Sequence, residues 1–183
     1  MNPTARTITA HSGNHPLPFP WSWSSRLTLP EGQAERVVDT AAAMTAIIHH
    51  AAAIGYDLAH LANKIQTPGQ LWNVLKLEQK LTPDPEGVEL LRSPLQSAQT
   101  ILAGRGFEGD CDDVAMLACA LAVRKGWSCW LRVIRRAEEW EHVYTLVQTP
   151  ANNQPVAIDP QETAQPYAER EYAAHLDFPV WRA

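Results

Sequence analysis

The chain is predicted to fold as an α+β domain, with helices first and a small antiparallel sheet after them. Three observations predict this. Apolar residues recur at helical spacing across residues 31–80. A wholly apolar run, residues 114–123, follows directly on Gly109-Asp110-Cys111-Asp112-Asp113. Three short strand-like runs, 127–135, 142–148 and 155–159, are separated by turn-forming segments. With 183 residues, 45% of them hydrophobic and 19% charged, the chain can bury one core without disulfide or metal staples.

Residues 1–30 contain Pro3, Pro16, Pro18, Pro20 and Pro30 together with Trp21 and Trp23, and show no helical periodicity. They predict an extended arm, its tryptophans docked on an apolar surface. A single domain, 31–183, follows, with a helical part (31–125), a sheet part (127–160) and a tail (161–183). From 32 to 54 the pairs Val37-Val38, Ala41-Ala42, Ile47-Ile48 and Ala51-Ala52 mark a helix that stops before Gly55. Asp57 is positioned to cap a second helix, 58–65, and Thr67-Pro68 opens a third through Leu71, Trp72 and Leu75. Pro83, Pro85, Gly87 and Pro94 predict a loop, with a short helix at 95–102 after it. The helix that begins at the cysteine ends at Gly126. Turns at 138–141 and 150–155 connect the strand-like runs into a meander. The tail is predicted to hold a short helix and a docking segment.

Bulk properties exclude several classes. A net charge of −5 and the absence of a Lys/Arg stripe speak against a nucleic-acid surface. No uninterrupted apolar segment approaches the ~20 residues of a membrane span, and the first residues lack the apolar core of a secretory signal. A cytoplasmic location is expected. Three cysteines with no Cys-x-x-Cys spacing suit a reducing compartment with at most one functional thiol. Cys119, inside the apolar helix, and Cys129, alternating with Leu131 and Val133, read as core. His49, His50 and His60 have no ligand at the spacing of a zinc site, so no metal and no cofactor is expected.

Cys111 stands where a nucleophilic thiolate is favoured. The unpaired N–H groups and positive dipole end of a helix start stabilise the thiolate over the thiol. Gly109 would let an approaching carbonyl come close to the backbone. Asp110, Asp112 and Asp113 read first as caps of the helix start, and they also set negative charge beside the sulfur. A thiolate needs a base and a group that orients the base. His142 and Asp159 follow Cys111 at spacings of 31 and 17 residues, each at the end of a strand-like run. Alternation puts His142, Tyr144 and Leu146 on one strand face, and Asp159 with Ala157 on a neighbouring strand, so pairing can join imidazole and carboxylate.

These blocks, Gly109-Asp110-Cys111-Asp112-Asp113, His142-Val143-Tyr144 and Asp159-Pro160, resemble the transglutaminase-like cysteine enzymes, a papain-like superfamily. The stretch Asp84-Pro85-Glu86-Gly87-Val88-Glu89, closed by Ser93-Pro94, looks like the corresponding segment of small bacterial and phage members, and the resemblance covers about residues 31–160. It implies a papain-like core in which the cysteine helix packs on the sheet, and a Cys111–His142–Asp159 triad acting on a peptide or protein through a thioester. The oxyanion would be held by the Cys111 N–H and a second donor, for which Trp72, Gln96 and Gln99 are candidates. Hydrolysis of the peptidase or amidase type is favoured. Transfer to an amine, as in a cross-linking transglutaminase, and a noncatalytic phage or cell-wall module with the same fold are the alternatives. A phage origin would make the protein virion-associated, with the arm of residues 1–30 as a partner contact.

Overall fold

The computed structural model describes residues 7–11, 26–28, 33–85, 88–137, 139–152 and 154–181. It is a mixed α and β arrangement of five helices, one four-stranded antiparallel sheet and smaller strand groups. Strands β1 (Thr7–His11) and β2 (Arg26–Thr28) lie in the predicted arm, and β1 pairs in parallel with β4 (Val88–Arg92). Part of the arm is therefore a strand on its own domain. Trp21 and Trp23 fall outside the described residues.

Helix α1 (Gln33–Ile54) buries Ala41, Met44, Ile48 and Ala51, the i, i+3, i+4 stripe that the sequence shows. Its segment Val37–Ile54 has the length and composition of a membrane span, which the count of uninterrupted apolar residues did not signal. In this fold the Met44–Ile48 stripe packs into the core with the cysteine helix. Gly55 allows a sharp junction with α2 (Tyr56–Asn63), since a Cβ there would lie 2.7 Å from Ala51 O. Gly55, rather than Asp57, is the N-cap. Helix α3 (Pro68–Glu78) opens with the predicted Thr67-Pro68 signal, and Thr67 and Gln70 complete a capping box. It runs into β3 (Gln79–Leu81), which pairs in parallel with β5 (Phe107–Gly109). Ser93 caps α4 (Pro94–Leu102) through its hydroxyl, which accepts from Leu95 N.

Helix α5 (Cys111–Arg124) is the centre of the molecule, and every residue from Asp112 to Ala122 is buried. Helices α1, α2 and α4 pack on it, as does the sheet. Full burial of Met116, Leu117 and Leu121 contributes roughly 1.5–3 kcal/mol each. Gly126, at φ +69°, ends the element. The sheet follows in the order β8 (Val156–Ile158), β7 (Glu139–Gln148), β6 (Ser128–Arg136), β9 (Ala174–Trp181), all antiparallel. Cys129, Leu131, Val143, Val147 and Ile158 join the core with α5, whereas Ile134, Tyr144, Leu146 and Ala157 pack together on the other face.

The tail differs from expectation. Its described residues form an edge strand instead of a short helix, with Leu176, Phe178 and Val180 less exposed than His175, Asp177 and Trp181. Pro179 fits there because an edge strand can leave an N–H unpaired. Arg132 locks the tail to the sheet through a two-pronged pair with Asp177, 2.7 Å on each prong, and a 2.9 Å bond to Glu169.

Candidate active site

Strand β5 delivers the chain to the cysteine. Asp110 is the N-cap of α5, its carboxylate accepting from Asp112 N at 3.3 Å, so Cys111 is the first helical residue. Cys111 is half-buried, whereas Cys119 and Cys129 are fully buried. Burial, with Cys129 alongside, raises the pKa of the Cys119 thiol well above its ordinary range. Cys111 is thus the one partly accessible sulfur of the three, and its Sγ lies 3.7 Å from Asp112 Oδ1.

Asp113 does not cap the helix. It points away from solvent and accepts from both Arg92 N and Arg92 Nη1, at 2.6 Å each, so the first turn of α5 is latched to β4. Burial nevertheless outweighs the arginine, and the carboxyl pKa is pushed up to about 6. The latch also explains Gly109. A Cβ there would lie 2.6 Å from both Asp113 Cβ and Asp113 Oδ2, so the group that needs close approach to this backbone is the carboxylate of Asp113. Gly109→Ala is expected to destabilise the protein by about 1–3 kcal/mol, the cost of an overpacked core. Urea unfolding checks this, and an unchanged midpoint would contradict it.

His142 and Asp159 meet at the β7–β8 end of the sheet. His142 pairs with Ile134 next to a bulge that leaves Glu141 unopposed, and bulges re-aim side chains. Its ring stacks on Tyr144 at 5.8 Å between centroids. Both His142 and Asp159 are buried, and Nε2 lies 3.1 Å from Asp159 Oδ1, close but without the alignment of a linear hydrogen bond. Such bonds often tighten only when substrate is bound. The face shared by His142 and Tyr144 therefore meets Asp159, as strand alternation predicts. Helix α5 packs on the other face of β7, the one that carries Val143, Thr145 and Val147. Thr145, three residues along β7 from His142, donates its hydroxyl to Ala115 O at 2.9 Å, one helical turn beyond Cys111.

Two neighbours were not foreseen. Glu162 Oε2 lies 4.0 Å from His142 Nε2, so two carboxylates face one ring nitrogen. Arg136 grips Glu162 with both nitrogens of its fork and holds that carboxyl below its ordinary range. Glu162 N donates to Asp159 Oδ1 at 3.3 Å, which makes the turn after Asp159 self-bracing. The signal was present in Asp159-Pro160-Gln161-Glu162, but its partner, Arg136, lies 26 residues away in sequence. His142, Asp159 and Glu162 have the donor types and spacing of a cation site. The Arg136 guanidinium already occupies both Glu162 oxygens, so a divalent ion would have to displace a charge-assisted pair.

The three residues expected as candidates for a second oxyanion donor differ in their surroundings. The Trp72 N–H is spent, donating to Thr163 Oγ1 at 3.3 Å in a buried contact, while Lys76 Nζ donates to Pro160 O at 2.5 Å. Helix α3 thus straps the loop after Asp159 through Trp72 and Lys76. Gln96 is exposed and lines a cleft with Lys80 and Arg105, whereas Gln99 is half-buried on the same helix, α4. Gln161, missed by sequence reasoning, has a buried amide nitrogen two residues beyond Asp159 with no hydrogen-bond partner among the described residues. No protein-family model, curated protein or solved structure matches the chain.

Proposed function

We propose that the protein is a cysteine-dependent hydrolase of amide bonds in a peptide or protein, of the transglutaminase-like, papain-like type. One observation carries the reading. The only thiol not fully buried opens a helix that packs on one face of β7, and the same strand carries on its other face an imidazole seated, buried, against a carboxylate. Substrates would meet Cys111 at this helix start.

In the proposed reaction the Cys111 Sγ proton passes to His142, and the sulfur attacks the carbonyl carbon. The oxyanion is held by the Cys111 N–H, with the unspent Gln161 amide as a candidate second donor. Collapse breaks the C–N bond, His142 returns the proton to the leaving amine, and a thioester remains. Water, deprotonated by His142, then hydrolyses it to the acid and free thiol. Asp159, braced by Glu162 N and the Trp72–Thr163 strap, keeps the ring oriented.

Incubation with p-nitrophenyl acetate tests this chemistry without a known substrate. Peptide mapping is expected to find a transient acetyl group on Cys111 and none on Cys119 or Cys129. Loss of the adduct on His142→Ala supports the reading. An absent adduct, or one on another nucleophile, would overturn it.

A further inference from the structure

A cleft of about 340 Å³ opens between α4 and the β3–β5 pair. Lys80, Arg92 and Arg105 line it against a single carboxylate, Glu108. Arg92 is committed to Asp113, with Asp84 3.9 Å away, but Lys80 and Arg105 have no ion-pair partner among the described residues. In a chain of net charge −5, two spare cations in one concavity form a local anion trap.

The cleft is also built rather than merely charged. Ser97 lines it at 4% exposure. The turn that presents Arg105 is fixed in place: Gly106 has φ +67°, and a Cβ there would lie 2.4 Å from Glu78 O. Phe107, 3% exposed, supplies an apolar wall. The volume falls in the range of small-molecule sites and exceeds that of a bare inorganic ion.

We propose that this cleft binds a small organic anion, its carboxylate or phosphate oxygens held by Lys80, Arg105 and the Ser97 hydroxyl and its apolar part resting on Phe107. The site is separate from the chemistry assigned to Cys111 and stands or falls independently of it.

Amide NMR titration of the full chain with inorganic phosphate, and separately with acetate, tests the proposal at ionic strength fixed with chloride. Saturable shifts confined to residues 97–100 and 105–108 are expected. Arg105→Gln is expected to weaken binding about fivefold or more, and Glu108→Gln to tighten it about twofold, the sign set by each charge. Both side chains are exposed, so neither variant threatens the fold. Tighter binding of phosphate would assign a phosphate-bearing ligand, and tighter binding of acetate a carboxylate-bearing one. Absence of saturation, or affinities that neither substitution moves, would overturn the proposal.

Discussion

Replacing Arg92 by alanine is expected to cost about 3–5 kcal/mol at pH 7.5, because it strands the Asp113 carboxylate in a site with no solvent access. Against a total stability of about 5–15 kcal/mol for a domain, that loss leaves the protein marginal. The pH dependence identifies the cause. In the wild type the Asp113 pKa is raised to about 6 by burial, even with Arg92 in place. A carboxyl raised above its unfolded value of about 3.9 contributes stability that is complete below that value and lost as pH rises through the folded one. The wild type therefore gives up up to about 3 kcal/mol at this site between pH 4 and 7. Without the guanidinium the folded value climbs further, so the variant continues to lose stability above pH 6. Urea titrations at pH 5 and 7.5 check this. The deficit of Arg92→Ala is expected to be less than half as large at pH 5, and a deficit below 1 kcal/mol, or one independent of pH, would contradict the latch.

The second large effect concerns the thiol. If Cys111 and His142 share a proton, iodoacetamide should alkylate Cys111 at pH 6, and His142→Ala should slow the reaction about tenfold. The magnitude follows from two opposing factors. A free thiol of pKa about 8.5 is only ~0.3% thiolate at pH 6, so an imidazolium that favours the thiolate raises the reactive fraction. The less basic sulfur is also a weaker nucleophile, which takes back part of that gain and leaves a net effect of about tenfold. Cys119 and Cys129, fully buried, serve as internal controls and should stay unmodified.

Much of the helical half was legible because its signals are local. Thr67-Pro68 and Ser93-Pro94 are caps within one turn, and the all-apolar stretch from Val114 has only a buried helix as its solution. The β6–β7–β8 meander followed from short turns between apolar runs. The parallel pairs were not legible. Strands β3 and β5 are three residues each, too short for alternation, and their pairing joins Gln79 to Phe107 across the whole of α4. Strand β4 was hidden by the prolines around it, and the alternation in His175-Leu176-Asp177-Phe178 was masked by Pro179.

At the site, sequence reasoning placed His142 and Asp159 together, which the geometry bears out at 3.1 Å. It gave Asp113 the wrong task, since cap and latch both require an aspartate in the first turn and only the fold reveals Arg92 beneath it. It also left Trp72 free for an oxyanion, because nothing local shows that Thr163, 91 residues on, takes the indole N–H. Glu162 and Arg136 were missed for the same reason: their meaning depends on a pairing that no local pattern encodes.

The measurement that tests the central claim most directly is the alkylation rate of Cys111 at pH 6 in a cycle of wild type, His142→Ala, Asp159→Ala and the double variant. Residues that act as one unit are non-additive. Both single variants are expected to be slower than the wild type, and the double variant no slower than His142→Ala alone. Rates unchanged in both single variants, or losses that simply multiply, would contradict a Cys111–His142–Asp159 unit.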